Sequence, residues 1–146
     1  MTRTLDQQQA TDRVEEHVAG AVAALPASPR LEIASELRTE CDDPTDFGPQ
    51  GRIQVSRRYW LADLDRARNP EYFDALHEYW LANGYRVLED GRDRAVEDME
   101  TGEVRPAPML WVEHTDGFRM NLVSSVGGDL SLVTTSPCIW PSGTPS

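Results

Sequence analysis

Cys41 and Cys138 are the two residues of this chain best placed to do chemistry, and that chemistry is pairing. Each sits in a stiff, turn-rich setting: Glu40-Cys41-Asp42-Asp43-Pro44 and Ser136-Pro137-Cys138-Ile139-Trp140-Pro141. A disulfide would staple the end of the first predicted strand to the chain just beyond the last, and it would imply an oxidising compartment. It also predicts that those two strands lie close in the sheet. The alternative is two free, buried thiols in a cytosolic protein. Two isolated cysteines without C-x-x-C spacing make a poor metal site.

Other chemistries are weaker in the sequence. His17, His77 and His114 are scattered over two predicted helices and a strand. His77-Glu78 begins like a zincin motif, but Leu81 stands where the second ligand belongs. No metal and no cofactor are expected. The acidic run Glu40 to Asp46 has the carboxylates that calcium wants, yet Pro44 interrupts it and the ligand spacing is absent, so a solvated turn is expected. Ser124, Ser125, Ser131 and Ser136 lie outside any G-x-S-x-G context. Carboxylate pairs abound in any acidic chain and single out no glycosidase-like site. The expectation is a non-enzymatic protein.

Aromatic residues offer recognition instead of catalysis. Trp60, Trp80, Trp111 and Trp140 can cover a small core or, with Tyr59, Tyr72 and Tyr79, line a cleft or a partner surface. Trp60 shares strand parity with Ser56 and Arg58, opposite Tyr59, so one of the two aromatics should face away from the helices. An open sheet face carrying an aromatic with Arg58 and Arg119 is the best candidate interface. The candidate interface or cleft set is therefore Arg58, Tyr59, Trp60, Tyr72, Tyr79, Trp111 and Arg119.

Charge narrows the partners. The formal net charge is −11, and all 14 basic residues are arginine. No segment has the basic excess that tracks a phosphate backbone, so nucleic-acid binding is disfavoured. The same field would repel an anionic membrane surface, and no apolar run is long enough to span a bilayer. Met1 to Gln9 is polar where a secretory signal needs an apolar stretch. The chain is then either cytosolic or an exported domain without its leader.

The elements that position these residues follow from periodicity. Thr4 to Leu25 reads as an amphipathic helix, with Thr4 as N-cap and Gly20 allowing close packing against a sheet. Arg30 to Glu40 alternates as a half-buried strand with Leu31, Ile33, Ser35 and Leu37 on one side, and that parity turns Cys41 inward. Arg52 to Leu61 is a second strand. Asn69 and Pro70 open a second helix as N-cap and N1, and Asn83-Gly84 closes it. Tyr85 to Asp90 is a strand, and residues 91–107 read as a long exposed hairpin loop. Met109 to His114 and Phe118 to Ser125 form a hairpin around Thr115-Asp116-Gly117, and Leu130 to Thr135 is the last strand. The fold class is α+β: an antiparallel sheet of about six strands with two helices on one face, in the order α-β-β-α-β-β-β-β. One domain spans residues 4–141, and 142–146 form a flexible tail.

The cysteine contexts quoted above, with Arg58-Tyr59-Trp60-Leu61, Asn83-Gly84-Tyr85-Arg86-Val87-Leu88 and Trp111-Val112-Glu113-His114-Thr115-Asp116-Gly117-Phe118-Arg119-Met120, resemble small lipoproteins of actinobacteria over most of residues 5–143. The resemblance implies export and tethering to the outer leaflet through a lipidated cysteine upstream of the first helix. The chain carries no lipobox, so the anchor is expected in a parent protein. The resemblance brings no catalytic residues. The expected function is a non-enzymatic cell-envelope binding domain, monomeric or weakly dimeric, with no membrane contact of its own. The alternatives are a small-ligand carrier with a cleft between helices and sheet, and a cytosolic acidic protein of the immunity or regulatory type.

Overall fold

Asp6 starts the first helix. Its carboxylate accepts the Gln9 N–H at 2.7 Å, and Gln9 Oε1 accepts the Asp6 N–H at 2.9 Å, which closes a capping box. Helix α1 therefore runs Gln7–Ala24, later than a Thr4 cap would start it. Thr4 is used elsewhere: its Oγ1 accepts the Trp140 N–H at 2.8 Å, and its own N–H reaches Gly143 O at 3.0 Å. These bonds tie the start of the chain to the segment beyond the last strand. The structure, a computed structural model, describes residues 3–41 and 50–145. Asp42, Asp43 and Asp46, weighed above for calcium, lie outside the described residues.

The remaining elements are β1 (Arg30–Glu40), β2 (Ile53–Ala62), α2 (Asn69–Ala82), β3 (Tyr85–Gly91), β4 (Ala95–Glu97), β5 (Val104–Pro106), β6 (Met109–His114), β7 (Arg119–Ser124) and β8 (Leu130–Thr135). Six strands form one antiparallel sheet ordered β1-β2-β8-β7-β6-β3. The expected fold class and element order are those observed. Residues 91–107, read as loop, include a small antiparallel ribbon in which Ala95 to Glu97 pair with Val104 to Pro106.

Both helices pack on one face, α1 over β2 and β8, α2 over β3 and β6. Helix α1 buries Ala10, Val14, His17, Val18 and Ala21, the stripe its period prescribes. Helix α2 buries Tyr72, Phe73, Leu76 and Trp80. Facing them from the sheet are Leu110, Val112, Met120, Leu122 and Leu132, all fully buried. Gly20 meets Tyr79 of α2 rather than the sheet: a Cβ there would collide with the tyrosine hydroxyl. Asn69 is the first residue of α2 and does not cap it; its Nδ2 donates to Gly128 O at 2.8 Å, fastening the helix start to the β7–β8 turn. Gly84, at φ +85°, ends α2 in the left-handed region as expected.

Strand β1 departs from its half-buried expectation. It is the sheet edge, paired only with β2, and Leu31, Ile33 and Leu37 are 40%, 53% and 56% exposed. A bulge at Ala34 shifts the register between Ile33↔Tyr59 and Ser35↔Arg58. One extra residue reverses the alternation, so Leu31 and Ile33 share the helix side with Tyr59 and Leu61, whereas Leu37 and Thr39 share the open side with Ser56 and Gln54. The same reversal carries Cys41 to the open side rather than inward. Cys41 and Cys138 are disulfide-bonded, with Cα atoms 6.1 Å apart. Strands β1 and β8 are not neighbours, because β2 lies between them. The bridge forms beyond their ends, where Ile139 pairs with Ile53 and the Cys41 N–H bonds Arg52 O.

Candidate functional site: the open sheet face

The sheet register divides the seven candidate residues by strand parity. Arg58 and Trp60 on β2, Trp111 on β6 and Arg119 on β7 point away from the helices. The guanidinium of Arg58 lies over the Trp60 ring at 5.7 Å, and that of Arg119 over the Trp111 ring at 5.5 Å. Both distances fall within cation–π range. Arg58, Val133, Asn121 and Trp111 form one row across four adjacent strands. At the usual strand spacing the ends of that row are about 14 Å apart. Two arginine-capped indoles thus flank a half-buried floor made by Val133, Asn121 and Val123.

Electrostatics differ between the walls. Arg119 Nε donates to Glu113 Oε2 at 2.9 Å, and Arg86 Nη2 reaches Glu113 Oε1 at 3.2 Å. The Arg119 hydrogen bond, helped by Arg86, holds the Glu113 carboxyl below its usual range. Arg58 instead donates to Ser131 Oγ at 3.0 and 3.2 Å, so a hydroxyl rather than a carboxylate orients it. Among the described residues no carboxylate forms an ion pair with it. Asn121 Oδ1, in the floor, has no hydrogen-bond partner among the described residues.

The other three candidates lie on the helix side. Tyr59 donates to Glu15 of α1 at 2.7 Å, beside an Arg57–Glu15 ion pair at 2.5 Å. Partial burial, then the Glu15 carboxylate, raise the Tyr59 phenol pKa. Tyr72 is buried in the core under the Arg68 guanidinium, and Tyr79 packs 6.4 Å from the Tyr85 ring. No single surface joins all seven.

A cavity of about 490 Å³ lies at the start of α2, against the β7–β8 turn and Pro106 and Pro108. Arg66, Phe73, Asp74 and Arg92 line it, and none of the seven candidates does. Its arginines already face Asp129, Asp90 and Asp74.

A polar cluster that sequence reasoning missed sits where α1 meets the β6–β7 turn. Gly117, at φ +89°, allows the turn that presents Asp116. His17 Nε2 lies 2.9 Å from Asp116 Oδ2, and His17 Nδ1 is hydrogen-bonded to the Tyr85 hydroxyl. Arg13 Nε donates to Asp116 Oδ2 at 2.8 Å and the Phe118 N–H to Oδ1 at 3.0 Å. The Asp116 N–H donates to His114 Nδ1 at 3.1 Å, and the same nitrogen lies 3.0 Å from Oδ1. Burial pushes the Asp116 carboxyl up, but the Phe118 N–H, Arg13 and His17 outweigh it and bring its pKa to about 2. Burial lowers the His17 pKa despite the carboxylate. A neutral His17 that donates from Nε2 to Asp116 accepts the Tyr85 O–H at Nδ1. The order hydroxyl–imidazole–carboxylate is that of a proton relay; Tyr85 at its end is 7% exposed, and burial raises its pKa.

No helix among the described residues is long and apolar enough to cross a membrane. No protein-family model, no curated protein and no solved structure matches this chain, so its site is read from its own geometry.

Proposed function

We propose that this domain is a non-enzymatic binding module at the cell envelope, carried in its parent protein by a lipid anchor upstream of α1, and that it takes a protein partner on the open sheet face. The observation that carries this reading is the pair of stacked couples, Arg58–Trp60 and Arg119–Trp111, on a face that no described helix covers. Indole and guanidinium are the side chains that most often dominate binding energy at interfaces. Stacking restrains both long side chains before a partner arrives, which lowers the ordering cost of binding. Arg58 favours a partner that brings a carboxylate, and the alternating floor suits an extended segment laid across the strands. The disulfide is compatible with an extracytoplasmic location.

A second reading, small-ligand carriage, has one observation in its favour: the cavity at the start of α2. A small molecule co-purifying with the domain in stoichiometric amount would select it.

The interface reading is tested in the producing cells with the parent protein. A photo-crosslinking residue is placed at Val133, in the floor of the open face, and as a control at Glu78, on the exposed side of α2. The reading expects a discrete protein adduct from position 133 only, in the envelope fraction, with both cysteines unreactive to thiol reagents. Equal adducts from both positions, or reactive thiols in a cytosolic pool, would contradict it.

A further inference from the structure

We propose that His17, His114 and Asp116 form a binding site for one divalent transition metal ion of the zinc class, cross-bracing α1 to the β6–β7 turn. The inference is independent of the interface reading, since the cluster lies on the helix side of the sheet. One donor atom from each residue falls within 4.8 Å of the others. Two imidazoles and a carboxylate are a donor set that zinc accepts, and three protein ligands leave a fourth position for water. The contacts are close enough to converge on one ion: His17 Nε2 to Asp116 Oδ2 is 2.9 Å and His114 Nδ1 to Asp116 Oδ1 is 3.0 Å. Each must open by a few tenths of an ångström to the edge of about 3.3 Å that four ligands at zinc bond lengths define.

The surroundings also fit. A ligating histidine is held through its other ring nitrogen, and His17 Nδ1 already meets the Tyr85 hydroxyl. The His17 side chain is 2% exposed, whereas those of His114 and Asp116 are 18% and 28% exposed, which leaves an entry path from solvent. The competitors are Arg13, whose guanidinium shares Asp116 Oδ2 with His17, and the Asp116 N–H, which donates to His114 Nδ1 at 3.1 Å and must be displaced by the ion. Arg13 also pairs with Glu16 at 2.8 Å, so it keeps a carboxylate when an ion takes its place on Asp116. Binding then exchanges one cation for another beside the same carboxylate, and His17 turns its ring proton to Nδ1, toward the Tyr85 oxygen.

The test uses the untagged full chain, treated with EDTA and dialysed, at neutral pH. Titration with Co²⁺ should give the visible bands of a low-symmetry site that saturate at one equivalent, and Zn²⁺ should bleach them one for one. Calorimetry with Zn²⁺ should show the affinity falling about tenfold or more in His114→Ala and in Asp116→Asn, both checked for folding by circular dichroism. Zn²⁺ at a hundredfold excess over Kd should raise the melting temperature of the parent chain by about 5–10 °C and that of His114→Ala by far less. Absence of both Co²⁺ bands and Zn²⁺ heat at millimolar metal would overturn the proposal. Undiminished affinity in both variants would overturn it too, because the ion would then sit elsewhere.

Discussion

His17 of α1 and Asp116 at the tip of the β6–β7 turn, 99 positions apart, meet through an Nε2–Oδ2 contact of 2.9 Å. The contact pins the middle of the first helix to the sheet. Both partners bear on how the protein responds to acid, because folding lowers the pKa of each: burial outweighs the contact at His17, and hydrogen bonds outweigh burial at Asp116.

Acid should destabilise metal-free protein from about pH 6.5 downward. The folded-state pKa of His17 lies below its ordinary value of 6.5, with burial as the largest cause. The unfolded chain therefore takes up a proton first, and stability falls as pH drops from 6.5 toward the depressed folded value. Asp116 acts lower. Its folded pKa of about 2 contributes stability that is complete above its ordinary 3.8 and is lost as pH falls through 2. Thermal melts of EDTA-treated protein between pH 4 and 8 should show the upper loss, and His17→Gln should flatten it. Stability that rises between pH 6.5 and 5 would be the wrong sign.

Removing the disulfide should cost much more than removing surface contacts. Cys41 and Cys138 close a loop with a sequence separation of 97, and the double Cys→Ser variant should lose about 2–5 kcal/mol in chemical denaturation. A loss under about 1 kcal/mol would mean that the unfolded chain is already restrained.

Gly20→Ala should stabilise more in a Tyr79→Phe background than in the parent. Alanine brings about 1 kcal/mol to a helix interior, and in the parent the new Cβ meets the Tyr79 hydroxyl, which offsets that gain. Equal effects of Gly20→Ala in the two backgrounds, measured by chemical denaturation, would place the contact elsewhere.

The tryptophans should separate by face. Trp80 is fully buried on α2, and Trp80→Ala should cost about 3–5 kcal/mol. Trp60 is 37% exposed, and its cation–π couple with Arg58 should be worth about 0.5–1 kcal/mol in a double-mutant cycle.

Local rules carried the fold as far as local physics reaches. The stripe Ala10, Val14, Val18, Ala21 and the alternation Ile53, Val55, Arg57, Tyr59, Leu61 set which residues share a face, and parity required one of Trp60 and Tyr59 to face away from the helices. That it is Trp60 came only with the sheet register and the Tyr59–Glu15 bond to α1. The bulge at Ala34 was not legible, because Leu31 to Leu37 alternate without a break and only pairing with β2 reveals the extra residue. The edge position of β1 was hidden for the same reason: alternation reports two-sidedness, not whether a helix arrives to cover one side. His17 left a faint signal, standing in the buried stripe of α1 three residues after Val14 and four before Ala21. Nothing local pointed to Asp116, whose partners come from α1 and from His114 across the turn.

The open face is tested most directly by repeating the in-cell crosslinking from Val133 in the Trp60→Ala/Trp111→Ala variant. The account predicts that the adduct disappears while the protein stays folded, its melting temperature within a few degrees of the parent. An undiminished adduct of the same mass would contradict it, because the two indoles would then contribute nothing to the contact.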